Sequence, residues 1–336
     1  MPSKVRWGVI STADIGLQKV IPGMQRAANC EMVAIASRES AKAAAAAQKL
    51  GLAKAYGSYE ALLEAPDIDA IYNPLPNHLH LPWTVRAMQA GKHVLCEKPI
   101  TLTVAECRRM IEARDRQGVI AGEAFMVHSH PQWLRTREIV RSGEIGELRA
   151  IQGFFSYDLR DPANVRNILE YGGGGLLDIG CYPITTSRWV LGREPSRVMA
   201  LVERDPSFGV DRLASAILDF DDCQSVFTVG TQINPYQRMQ FIGTRGRIEI
   251  EIPFNAPPDR PTRLWVDLGG DLFGEGLREE KLPVCDQYTA QGEAFSRAIL
   301  EGAPVPTPLE DALANMAVIE ALFRSGKSGL WETPEK

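Results

Sequence analysis

Hydrophobic and polar positions follow two rhythms along this chain. Up to about residue 124, short apolar runs at 5–11, 31–37, 70–73, 93–96 and 119–123 stand between longer stretches with helical spacing, with a weaker run near Ala55. Strand-length apolar runs alternating with helices read as strand-helix-strand units around a parallel sheet. The helical stretches carry their own punctuation. Thr103 with Glu106 forms a capping box, Gly118 stops that helix, and Gly91 stops the one that begins near Pro82.

Beyond a helical pattern at 131–142 the rhythm changes. Runs at 147–157, 197–203, 213–220, 225–233, 238–242, 247–252 and 263–266 are β-rich, and several alternate. Alternation predicts a large open, mostly antiparallel sheet, with one face covered by helices that include 176–191 and the other available to solvent or a partner subunit. Helical stretches at 287–301 and 309–325 follow. The expected class is α/β: a doubly wound parallel sheet in a dinucleotide-binding domain, residues 1–124, and an α+β domain, residues 125–336, that binds substrate and pairs into a homodimer or homotetramer.

Composition narrows the partners. Lys and Arg number 37 against 42 Asp and Glu, a net charge of -5 with the signs interspersed, which gives no basis for nucleic acid or a membrane surface as partner. No apolar stretch approaches the roughly 20 residues of a membrane helix, and the start shows no signal peptide, so the expected location is the cytoplasm. The six cysteines are scattered without a C-x-x-C pair and read as reduced, with no disulfide. His78 with His80, and His128 with His130, have a two-residue spacing that predicts satisfied polar groups rather than a metal site.

The chemistry starts at Glu97-Lys98-Pro99, which closes the apolar run 93–96. An ammonium there stands at the carboxyl end of a parallel strand, where doubly wound sheets bind their ligands. Ser11-Thr12-Ala13-Asp14-Ile15-Gly16 follows the first strand and opens a helix, in the place of a G-x-G-x-x-G phosphate loop with two glycines replaced by small residues. At the end of the second strand, where an NAD site carries Asp or Glu, the chain has Ser37-Arg38, with Lys42 a turn further on. A guanidinium there suits a ribose 2′-phosphate, so the expected cofactor is NADP rather than NAD. Pro74, Leu75, Pro76 and Asn77 at the end of the fourth strand are expected to border the nicotinamide and ribose. In the second half, Gly172-Gly173-Gly174-Gly175 leads into a helix start bearing Asp178 and Tyr182, spaced to share a helical face.

These motifs together resemble the glucose-fructose oxidoreductase and inositol dehydrogenase (Gfo/Idh/MocA) family over nearly the whole chain. Further matching segments are 72–80, 123–126, 130–132 and 243–246. The resemblance is to the sugar and dihydrodiol branch and implies a Rossmann domain followed by an open antiparallel-sheet domain. It implies Lys98 and Tyr182 as the catalytic pair, with Asp178 as supporting carboxylate. The expected spatial arrangement brings Lys98 and Tyr182 together beside the cofactor. Glu97 and His80 join the cofactor side, and Phe125, His130, Asn164 and Arg166 the substrate side. The implied activity is NADP-dependent hydride transfer at a hydroxyl or carbonyl of a sugar, such as an aldose at C1. Dihydrodiol oxidation and keto-sugar reduction are alternatives in the same class; an NAD-dependent glycosidase and a non-catalytic dinucleotide sensor are alternatives outside it. A phenol with an ordinary pKa of about 10 is a poor base unless a cation favours its phenolate, which is the role open to Lys98.

Overall fold

The computed structural model describes residues 4–335. Six strands, β1 (Val5–Ile10), β2 (Cys30–Ala36), β3 (Lys54–Tyr56), β4 (Ala70–Asn73), β5 (His93–Cys96) and β6 (Ala121–Glu123), form a parallel sheet in the order β3-β2-β1-β4-β5-β6. This is the doubly wound order that the first half of the sequence predicts. Because β1 lies between β2 and β4, the connections leaving β1 and β4 depart to opposite sides, and the crevice at their carboxyl ends is the ligand position of such sheets. The core strands are continuous apolar runs because helices cover both faces.

A second sheet has eight strands: β7 (Leu148–Asp158), β8 (Arg197–Arg204), β9 (Asp211–Asp219), β10 (Gln224–Gly230), β11 (Gln232–Gly243), β12 (Arg247–Ile250), β13 (Thr262–Asp267) and β14 (Leu277–Leu282). Their order is β14-β13-β12-β11-β7-β10-β9-β8, antiparallel except for the β7–β10 pair. Side chains alternate between faces. Ile151, Gly153, Phe155 and Tyr157 of β7 share the face against which helix Cys181–Leu191 packs, whereas Leu201 of β8, Val226 of β10 and Tyr236 of β11 are exposed. Gly153 permits that packing: a Cβ there would lie 3.2 Å from Pro183 Cβ and 2.7 Å from Met239 Sδ.

Two compact units emerge, and they differ from a single division after residue 124. The first holds residues up to Ser129 together with Asp286–Leu313, and the second holds His130–Cys285 with the residues from Ala314 onward. Helix Gln287–Glu301 joins the first unit because Ser296 accepts a buried hydrogen bond from Trp7 Nε1 at 3.2 Å and Gly292 lies against Met24. The Thr307 carbonyl also accepts the Glu123 amide at 3.0 Å. Strand β14 has no counterpart among the sequence expectations, because Leu-Arg-Glu-Glu-Lys-Leu carries its charges in a row along an exposed edge. Among the described residues no helix is long and apolar enough to cross a membrane.

Candidate active site

In the first unit, the loops at the strand ends carry the predicted residues. Ser11 adopts φ 86°, a left-handed conformation that usually selects glycine, and its hydroxyl accepts the Ala13 amide at 3.3 Å. The serine thus makes the turn that the motif's first glycine would make. The chain is helical from residue 14 to 25, with one wide turn at Gly16–Val20, so Thr12, Ala13, Asp14 and Ile15 stand at a helix N-terminus that favours anionic groups.

At the end of β2, Ser37 is buried and its hydroxyl accepts the Glu39 amide at 3.2 Å, while Arg38 is exposed. The Arg38 guanidinium also reaches the Tyr59 hydroxyl. The neighbouring carboxylate, Glu39, is ion-paired with Lys42 at 2.7 Å. This donor set fits a 2′-phosphate: the adjacent acid, Glu39, is paired with Lys42, and Arg38 faces solvent. Lys42, expected as a phosphate ligand, is engaged by Glu39 instead.

The Glu97-Lys98-Pro99 loop, which contains a cis Lys98-Pro99 peptide, is held from three sides. Tyr72, fully buried on β4, donates its hydroxyl to Glu97 Oε1 at 2.6 Å. Glu123, buried at the end of β6, accepts the Ile100 amide at 2.7 Å. His80 is completely buried, with Nδ1 2.8 Å from the Pro99 carbonyl and Nε2 2.7 Å from the Leu75 carbonyl. Burial pushes its pKa down to about 4. The expectation that His80 contacts the cofactor gives way to a bracing role, because both ring nitrogens are turned to main-chain carbonyls. Pro74 and Leu75 are buried in the adjoining loop, and Pro76 and Asn77 are partly exposed there.

In the second unit, one wide turn at Leu176–Gly180 runs into helix Cys181–Leu191, whose first eight residues are all buried. Asp178 Oδ2 accepts both the Tyr157 hydroxyl at 2.6 Å and Arg166 Nε at 3.0 Å. The Tyr182 ring packs on Phe155 and Phe254, with centroids 5.7 and 5.1 Å away. Strand β7 therefore supplies two partners from one face: Phe155 to Tyr182 and Tyr157 to Asp178. Burial and the Asp178 charge hold the Tyr157 phenol well above its ordinary pKa. Arg166, held charged chiefly by Asp178, is also electrostatically coupled to Tyr182. Sequence reasoning missed Tyr157, although its parity with Phe155 along an alternating strand was the available signal. Asp211, almost wholly buried, accepts the Leu176 amide at 2.6 Å and caps this helical segment; burial raises its carboxyl to about 7.

Other expected substrate contacts resolve as support. Phe125 is 1% exposed and lies against His128, and His130 is fully buried as the cap of helix Pro131–Ser142, accepting the Gln132 amide at 3.3 Å. Burial withdraws both from ligand contact. Asn164 accepts the Arg166 amide at 3.1 Å and so shapes the loop that presents Arg166.

A family model described as "Oxidoreductase family, NAD-binding Rossmann fold" matches residues 5–125, and one described as "GFO/IDH/MocA C-terminal domain" matches residues 133–249. The chain is 47% identical to an uncharacterized oxidoreductase of Rhizobium meliloti, with 98% of this chain and 99% of that protein covered. It is 36% identical to D-xylose 1-dehydrogenase (NADP(+)) 2 of Haloferax volcanii, with 96% and 98% covered. A 3-ketoreductase from Actinomadura kijaniata, solved with NADP and TDP-benzene, superposes with a TM-score of 0.88 at 30% identity, covering 96% of this chain and 98% of that one. Solved variants of that reductase replace one lysine, by Ala or Glu, and one tyrosine, by Phe.

Proposed function

The chain belongs to the GFO/IDH/MocA family of oxidoreductases, in its sugar and dihydrodiol dehydrogenase branch, and on that premise we propose that it is an NADP-dependent sugar dehydrogenase acting on an aldose at C1. The observation that carries the cofactor reading is the exposed Arg38 at the end of β2 beside a Glu39 that Lys42 already neutralises. Ser11 to Ile15 and the helix N-terminus would take the pyrophosphate, Ser37 and Arg38 the 2′-phosphate, and the Pro74 to Asn77 and Glu97-Lys98 loops the nicotinamide side.

Bound NADP supplies the hydride acceptor. The chain's own residues handle the proton and the developing charge. Tyr182 takes the substrate hydroxyl proton as general base. Lys98 donates a hydrogen bond to the reacting oxygen as it becomes alkoxide-like, and its charge favours the tyrosinate. Asp178 holds Arg166 and Tyr157 in fixed positions around that chemistry. A lysine and a tyrosine standing the same number of residues apart as Lys98 and Tyr182 are the ones replaced in the variants of the Actinomadura reductase, which supports the pairing.

A panel of pentoses, hexoses and diols with NADP and NAD in parallel, and of keto sugars with NADPH, each followed by nicotinamide absorbance, tests the activity. Aldoses are expected to give the highest kcat/KM; turnover confined to diols would overturn the aldose assignment. Arg38→Asp is expected to weaken NADP use by roughly 10- to 100-fold, as loss of one charge-assisted phosphate contact worth about 1.5–3 kcal/mol requires. An unchanged NADP preference would remove the role given to Arg38.

The proposal extends to the open face of the second sheet, where exposed Leu201, Val226 and Tyr236 support a second copy of the chain as the covering partner. Light scattering at micromolar concentration is expected to give at least twice the chain mass of 37.0 kDa, and a monomer mass would reject it.

A further inference from the structure

His80 is unusual among buried groups in this fold. Its two ring nitrogens lie 2.8 and 2.7 Å from two main-chain carbonyls, Pro99 O and Leu75 O, which belong to two different strand-end loops. A neutral imidazole carries one N–H, so it donates to one carbonyl and turns a lone pair toward the other. The position is fully closed to solvent, and the low pKa of the ring keeps it neutral. Such a contact persists only where the surrounding packing fixes it. Here the fixing groups are visible: Tyr72 on Glu97, Glu123 on the Ile100 amide, and Asn73, whose Oδ1 accepts the Leu75 amide at 3.2 Å and whose Nδ2 reaches Thr84 at 3.0 Å.

We propose that His80 is a positioning residue that sets the spacing between the Pro74–Asn77 loop and the Glu97-Lys98-Pro99 loop, and so places the Lys98 side chain. The inference rests on the reading of Lys98 as catalytic. Lys98 and Pro99 are adjacent in the chain, so a displacement of the Pro99 carbonyl is transmitted to Lys98 through one peptide unit. A misplacement of about 1 Å at a catalytic group costs on the order of 100-fold in rate.

The test is a double-mutant cycle in the full-length protein with His80→Leu, His80→Gln, Lys98→Met and the two combinations, read as kcat for the best aldose and as NADP affinity by fluorescence. His80→Leu alone is expected to lower kcat on the order of 100-fold at saturating NADP. His80→Gln, which keeps one donor for one carbonyl, is expected to recover part of that loss. In the Lys98→Met background the His80 substitutions are expected to have little further effect, because the group they misplace is gone. Equal fold-losses from His80 substitutions in both backgrounds would overturn the proposal. Undiminished turnover in Lys98→Met alone would instead overturn the catalytic reading of Lys98. If His80→Leu does not fold, the same cycle with His80→Gln decides by the same criterion.

Discussion

Replacing Tyr182 by Phe is expected to cut kcat by roughly 100- to 10,000-fold, the span of a lost general acid–base group, while NADP affinity and thermal stability stay close to those of the parent. The structural grounds for so clean a separation lie in how the ring is held. Tyr182 is 6% exposed and packs on Phe155 and Phe254, so a phenylalanine keeps every ring contact and loses only the hydroxyl. The residues proposed to hold the cofactor, by contrast, all belong to the other compact unit. Steady-state kinetics with the best aldose, binding of NADP by fluorescence quenching and a melting curve check the three parts. Loss of turnover matched by an equal loss of NADP affinity would contradict a role confined to proton transfer, and full turnover in Tyr182→Phe would remove the residue from the chemistry. Removing Tyr157 by the same substitution gives the useful contrast. Its hydroxyl is committed to Asp178 at 2.6 Å, so Tyr157 acts by holding the carboxylate rather than by exchanging a proton.

The division between what the sequence makes legible and what it hides follows the range of the interactions. Strand and helix identities in the first half were readable because each is a local pattern: Thr103 does cap helix Val104–Gln117, and Gly118 ends it at φ 64°. The strand ends that carry Arg38 and Lys98 could be located for the same reason. What the linear pattern conceals is pairing at long separation. The return of helix Gln287–Glu301 to the first unit depends on contacts such as Trp7 with Ser296, and no periodicity in either segment announces it. Residues 225–242 read as two short runs, but Thr231 separates β10 from a 12-residue β11 that continues through Pro235. The same limit applies in the site. Lys42, Phe125, His80 and His130 have the right types for ligand contact, and only the folded chain shows them engaged by an ion pair, the core, two main-chain carbonyls and a helix-capping amide respectively. Ser11 illustrates the reverse case: a residue that weakens the phosphate-loop motif in sequence takes the glycine's left-handed conformation in the fold.

Lys98→Met is expected to lower kcat by roughly 100- to 1,000-fold, the loss seen when one donor to a developing oxyanion is removed, and to move the rising limb of the kcat–pH profile to higher pH. The direction follows from charge. A cation beside a phenol stabilises the phenolate, so its removal raises the pKa of the group that must be deprotonated for the reaction to proceed. Arg166 is electrostatically coupled to Tyr182 within the second unit, which raises the question of why the role is proposed for Lys98. Asp178 answers it. Its carboxylate sits 3.0 Å from Arg166 Nε, so the pair presents a dipole with little net charge, and the Arg166 side chain is 46% exposed and screened by solvent. Activity regained by Lys98→Met at high pH, measured with saturating NADP and aldose, is therefore the expected signature, and Lys98→Arg is expected to keep the charge but misplace the donor and so hold the pH profile while losing kcat. A profile that does not move in Lys98→Met but moves in Arg166→Met would transfer the electrostatic role to Arg166.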